Sequence, residues 1–346
     1  MLTRGIKNCR DSRLLPYASI SITNTTRGTA GNRDGEFNLM IKQSELKESL
    51  RVSSIGFISK TFLIDSLKPK TPVVIELKSA IKVLNEILIR QSPINSIDII
   101  KLAIDSIGKN YKAEAFNLEF YSEIIAESLL TNLKFKVESI ILGYYNGYAS
   151  NDDKKFEIVK KRALGDNPLK VSDYPFWPTL EMHRADLITD PNRTGILNEK
   201  NLEKFEFKYL GTQTYDTDTV YHIEYFAPKP TQKITGYGIV PKTYKGSIFI
   251  TTTTNAIVKH EIETDQFSYS IIYKMVDGHY YPYLLSGERR LVGENIFSTV
   301  YNIVRLTNIV LTNIKVIDYR TNEFQNLSEL PDDKEFWDLY YPADKK

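Results

Sequence analysis

Strict two-residue alternation runs through most of this chain, and it restricts the fold to one built of strands. Ala18, Ile20 and Ile22 alternate with Tyr17, Ser19 and Ser21, and Phe37, Leu39 and Ile41 alternate with Glu36, Asn38, Met40 and Lys42. Successive strand side chains point to opposite faces, so the pattern describes half-buried strands with one wet side. Gly28, Gly31 and Asp34-Gly35 lie between the two runs. They supply the positive φ of a tight reversal, which joins the runs as a hairpin. Val73, Ile75 and Leu77 on one face, then Leu84 and Leu88 beyond a short break, add strands and close a core that one sheet could not cover.

Five segments of this region resemble the carboxypeptidase regulatory-like domain: LPYASISI (15–22), RGTAGNRDGEFNL (27–39), LRVSSIGF (50–57), VVIEL (73–77) and LNEILI (84–89). The resemblance implies a prealbumin-type, antiparallel β-sandwich over residues 1–90 that is not itself catalytic. Such domains are additions to secreted metallocarboxypeptidases and to envelope proteins of Gram-negative bacteria, TonB-dependent receptors among them. The resemblance therefore implies a periplasmic or outer-membrane-associated protein.

Residues 91–115 read as a linker helix. Ser96 is placed as N-cap for Ile97 to Tyr111, with Ile97, Ile100, Ile104, Ile107 and Tyr111 on one side and Asp98, Lys101, Asp105 and Lys109 on the other. The polar side is balanced in charge, which suits a core-packing helix better than a membrane anchor. Residues 116–346 return to strand patterning in FNLEFYSEII, FKVESIILGYY, KFEIVKKRA, VYHIEYFA, GSIFITTT, AIVKHEIE, SYSIIYK, YYPYLLSGERRL and FSTVYNIVRLTNIVL. Asp277-Gly278 marks a two-residue hairpin, and Thr254-Asn255 marks a second. The expected class is mainly β: sandwich, linker helix, then a large curved antiparallel sheet. One helix followed by many hairpin-linked strands is similar to the half-barrel of lipoprotein-sorting carriers.

The sequence has 346 residues with 45 basic and 43 acidic side chains, a net charge of +2. That balance gives no field to gather nucleic acid or anionic lipid. Clusters such as Lys154-Lys155 and Lys160-Lys161-Arg162 are short, sit beside Asp152, Asp153 and Glu157, and read as solvated surface. The 22 tyrosines, paired at Tyr144-Tyr145, Tyr280-Tyr281 and Tyr340-Tyr341, read as sheet residues, one of each pair per face. Cys9 stands alone and forms no intramolecular disulfide; Arg4 and Lys7 ahead of it do not suit a lipoprotein anchor, so it is expected to be buried or at a strand end. No apolar run reaches the eighteen or so residues of a membrane span, and no signal-peptide core precedes Gly5. As written the chain would stay cytoplasmic, and a missing N-terminal segment reconciles this with the envelope location that the resemblance implies.

Catalytic patterns are sparse. His260 and Glu263 form the one His-x-x-Glu, the opening of a carboxypeptidase zinc signature, but ligands three apart on a strand point to opposite sides. His222 and Glu224 share a polar strand face, His183 and Asp186 have helical spacing without a third ligand, and His279 flanks a turn. Asn32-Arg33-Asp34-Gly35-Glu36 has a calcium-loop look but lacks the alternating carboxylates and the closing glutamate; the carboxypeptidase regulatory-like family places Asp-Gly-Glu-Phe at the start of a strand. Gly236 and Gly238 belong to no phosphate loop. No catalytic, metal or cofactor residue is assigned, and the ligand-binding residues stay open.

The expected function is non-enzymatic: an envelope binding, carrier or adaptor module, with a lipid, a glycan or an outer-membrane protein as partner classes. The alternative is an accessory partner of TonB-dependent uptake, since LNEILI resembles the segment at which such a sandwich hands over to a receptor plug; the 256 residues left after Arg90 are too few for plug and barrel. A hydrolase with an unrecognised site is the third reading.

Overall fold

The computed structural model describes residues 2–25, 28–31, 35–39, 41–67, 73–80, 95–127, 134–148, 154–165, 186–188, 195–215, 218–235, 240–290, 299–317 and 333–340. The N-terminal strands are β1 (Leu2–Asn8), β2 (Ser19–Ile22), β3 (Gly28–Ala30), β4 (Glu36–Leu39), β5 (Ser49–Ser53), β6 (Lys60–Leu63) and β7 (Val73–Leu77). They form two small sheets, ordered β4-β1-β7 and β3-β2-β5-β6. Ile6, Phe37, Leu39, Ile75 and Leu77 from the first sheet meet Ile20, Ile22, Leu50 and Val52 from the second in one core.

Two expectations change here. The runs around Ile20 and Phe37 are not hairpin partners: β2 pairs with β3 and β5, whereas β4 pairs with β1 in the other sheet. The glycines at 31 and 35 carry the chain between layers instead of folding one strand back on the next. Gly35 does adopt positive φ, +67°, and a Cβ there would lie 2.9 Å from the Ile6 carbonyl oxygen. The sandwich is also not wholly antiparallel, because β7 runs parallel to β1. Long-range return of the chain to that edge sets its direction, which alternation does not encode. Leu84, Leu88 and Asp34 lie outside the described residues.

Helix α1 spans Ser96–Asp105 and a single turn, α2, follows at Ile107–Asn110. Asn95, not Ser96, is the N-cap, its side-chain oxygen accepting from the Ile97 amide at 3.0 Å. Ser96 is instead buried, with Ile99, Ile100 and Ala103. The buried stripe is thus rotated from the expected one, and Ile97 and Ile104 sit at its margins.

Ten strands make the large curved sheet: β8 (Phe116–Glu127), β9 (Lys134–Tyr145), β10 (Lys155–Gly165), β11 (Glu206–Tyr215), β12 (Asp218–Phe226), β13 (Tyr244–Thr251), β14 (Ile257–Thr264), β15 (Phe267–Val276), β16 (His279–Arg290) and β17 (Thr299–Val310). Strand β11, with weak alternation in EFKYLGTQTY, escapes the sequence reading. Asn255 at φ 56° turns β13 into β14, and Asp277 at 48° with Gly278 at 83° turns β15 into β16, both as the sequence indicates. The order is β10-β9-β8-β17-β16-β15-β14-β13-β12-β11, so β17 returns to pair with β8. Register shifts at Ile158/Lys160, Phe249/Ile250, Ile272/Tyr273 and Leu306/Asn308 are the bulges that bend such a sheet.

One face of this sheet packs on α1 and α2 and on short helical turns at Gly195–Leu197, Glu199–Lys204 and α3 (Gln232–Thr235). The other receives the sandwich: Ala30 packs on Ile272 and Leu284, and the Gly56 amide donates to the Thr214 carbonyl oxygen at 3.0 Å. Helix α4 (Lys334–Tyr340) docks through Trp337, whose Nε1 donates to the Lys161 carbonyl oxygen at 2.9 Å and whose ring lies under Arg162.

Candidate functional site

Cross-strand pairing aligns Ile223, Ile248, His260, Ile271, Leu285, Val304, Ser122 and Ser139 on the helix-covered face. At the β11 end α1 seals this face. Toward β8 and β9 its wall is Phe116, Leu118, Phe120, Ile141, Tyr145 and Phe156, all buried. Polar groups break that wall. Ser122 and Ser139 are paired residues, and Asn302, opposite Ile124, is their diagonal neighbour. The Ser122 hydroxyl, both ends of the Asn302 amide and the Tyr145 hydroxyl are buried without a hydrogen-bond partner. Each such group costs about 1–3 kcal/mol where nothing satisfies it.

A second polar group is fully paired. Asp186 is 0% exposed and accepts a hydrogen bond from the Tyr273 hydroxyl at 2.8 Å. Lys154, buried like Lys161 and Arg162 and not on the solvated surface expected of these basic clusters, donates to the Asp186 carbonyl oxygen at 2.5 Å, with the carboxylate 3.9 Å away. Burial first, and the negative Asp186 second, push the hydroxyls of Tyr111, Tyr145 and Tyr273 well above the ordinary tyrosine range. They stay protonated donors; the Tyr111 hydroxyl donates to the Ile257 carbonyl oxygen at 2.6 Å. On the sandwich-facing side, Glu138 is buried against Tyr121, Lys136 and Arg162. Burial alone would raise its carboxyl, but Lys136, Arg162 and Tyr121 together hold it below the usual range.

The sequence candidates fall apart. His260 is buried with Nε2 2.8 Å from the Tyr225 hydroxyl, and burial drives its pKa down to about 3. Glu263 points the other way and pairs with Lys245 at 3.3 Å. His222 and Glu224 do share a face, but only Glu224 is exposed; His222 is half-buried, stacked on Phe249 at 4.3 Å with Nδ1 2.8 Å from Gln213 Nε2. Burial lowers the His222 pKa. His279 opens β16, and His183, Asn32, Arg33, Gly236 and Gly238 lie outside the described residues. Cys9 follows the end of β1 and is exposed, not buried. Tyr280 and Tyr281 are both buried, one against Tyr111 and the other against Phe116. Among the described residues no three His, Cys, Asp or Glu side chains are grouped to hold a metal ion.

Sequence reasoning missed Ser122 and Asn302, named Tyr145 only as a sheet residue and Asp186 only beside His183, and did not bring Lys154, Asp186 and Tyr273 together. Polar residues at in-facing positions of otherwise apolar strands are a weak signal for the first group. The second is assembled by packing between segments far apart in the chain.

The sandwich contributes the assignable part. Residues 5–89 match the family model of the CarboxypepD_reg-like domain. Solved structures similar to part of the chain are of low identity. A LolA superfamily protein from Nitrosomonas europaea is 10% identical with a TM-score of 0.32, over 65% of this chain and 96% of that one. A lipoprotein-sorting protein domain from Vibrio parahaemolyticus is 12% identical with a TM-score of 0.32, over 64% and 95%. The lipoprotein LppX of Mycobacterium tuberculosis is 10% identical with a TM-score of 0.26, over 63% and 97%. No curated protein matches the chain. No helix among the described residues is long and apolar enough to cross a membrane.

Proposed function

We propose that this is a non-enzymatic binding or carrier protein of the bacterial envelope, with an amphiphilic ligand held on the helix-covered face of the large sheet. The CarboxypepD_reg-like segment supports the envelope location, and residues 1–90, 91–115 and 116–346 are its proposed sandwich, linker and carrier units. The observation that carries the reading is the unpartnered Asn302 amide beside Ser122 in a wall of Phe120, Ile141, Leu285 and Val304. Burying an amide with neither donor nor acceptor satisfied is costly, and a ligand with an apolar body and a polar end removes the penalty. The His260 and Glu263 geometry, split across two faces, supports a role without metallopeptidase chemistry.

The test is mass spectrometry of organic extracts from the full-length protein purified without detergent, compared with Asn302→Leu. A stoichiometric amphiphile in the wild type, reduced at least fivefold in Asn302→Leu while that variant is as stable or more stable, is the expected result. A wild-type protein that carries no amphiphile and takes up none from mixed vesicles overturns the reading.

A further inference from the structure

A cleft of about 670 Å³ lies on the opposite side of the sheet, where the Pro16-Tyr17 turn of the sandwich overhangs the ends of β11 to β15. That volume is in the range of small-molecule sites. Its floor is two cross-strand rows. Lys208, Glu224, Ser247 and Glu261 are successive partners in one. Glu206, Phe226, Lys245, Glu263 and Ser268 are successive partners in the other. Tyr17 forms the roof. Its φ is +54°, uncommon for a side-chain-bearing residue, and its hydroxyl is 2.9 Å from the Ser268 hydroxyl. Leu15 and Ala18 on either side are buried, so the turn is anchored.

Three properties select the ligand. The lining has four glutamates against two lysines, which disfavours phosphates, sulfates and carboxylates. The charges are largely matched within the cleft or at its border: Lys245 pairs with Glu263 at 3.3 Å, Lys259 with Glu261 at 2.6 Å, and Lys208 stands opposite Glu224. The rows set lysine, glutamate and serine side chains about 5 Å apart, the spacing of neighbouring strands, and such a mixture of donors and acceptors fits a molecule carrying many hydroxyls. Phe226, 40% exposed between Glu206 and Lys245 in the second row, presents an apolar ring to whatever occupies the cleft. We infer that the cleft between the Tyr17 turn and β11 to β15 is a binding site for a neutral oligosaccharide, with Phe226 as the stacking platform and the two rows as hydroxyl partners.

The full-length protein would be applied to an array of neutral, sialylated and sulfated glycans, and affinities of captured neutral trisaccharides measured by calorimetry. Capture confined to neutral glycans is expected, with Phe226→Ala weakening binding tenfold or more and Glu224→Gln several-fold, each at unchanged melting temperature because both side chains are exposed. Pentalysine should not compete. No neutral glycan captured, capture dominated by the acidic glycans, affinity unchanged in both variants, or displacement by pentalysine each overturns the proposal.

Discussion

Tyr273 and Asp186 are joined by a 2.8 Å hydrogen bond across 87 residues of chain, in a place where neither is exposed to water. The bond ties β15 to the segment after the third strand of the sheet. It also fixes Tyr273 edge-on to Tyr111, ring centres 5.8 Å apart, beneath the end of α2.

Removing the hydroxyl with Tyr273→Phe should therefore cost about 1–3 kcal/mol, since a buried carboxylate loses a donor that water does not replace. Asp186→Asn should destabilise as well. In the double variant the cost should be at least about 0.5 kcal/mol less than the sum, because both changes remove one interaction. Urea unfolding of the four proteins measures this. Strict additivity would show that the two residues are not coupled.

Acid should weaken the fold through His260. Its native pKa is about 3 against 6.5 for the unperturbed side chain, so between those values the unfolded chain binds a proton that the native protein does not. Stability from this group is complete above pH 6.5 and declines as pH falls toward 3, by up to about 1.4 kcal/mol per pH unit. His260→Gln can still hydrogen-bond Tyr225 but does not titrate. The urea midpoint of the wild type should therefore drop more steeply from pH 7 to 4.5 than that of His260→Gln, and parallel curves would refute the assignment.

Two glycines at positive φ should respond differently to the same change. A Cβ on Gly35 would meet the Ile6 carbonyl oxygen at 2.9 Å and the Leu15 carbonyl oxygen at 3.0 Å, whereas Gly278, at φ +83°, has nothing within 4 Å. Gly278→Ala should cost about 1 kcal/mol from backbone strain alone. Gly35→Ala should exceed it by about 1–2 kcal/mol, because the hydrogen-bonded backbone of Ile6 and Leu15 must give way. Melting temperatures give the comparison, and equal losses would show that the close approach is relieved without cost.

Properties set by neighbouring residues were legible in the sequence. The alternation in AIVKHEIE placed His260 and Glu263 on opposite faces, Asp277-Gly278 announced a reversal, and Gly35 announced a positive φ; each depends on dihedral preferences within a few residues. Tertiary structure decided the rest. Nothing local says that β7 lies parallel to β1, that β4 leaves β2 for the other layer, or that β17 closes against β8, because those choices rest on contacts across tens to hundreds of residues. Both candidate sites belong to this second kind. Ser122 meets Asn302, Tyr17 reaches Ser268, and Lys208, Glu224, Ser247 and Glu261 form a row only once strand register is fixed. A one-residue slip would send each of these side chains to the other face of the sheet.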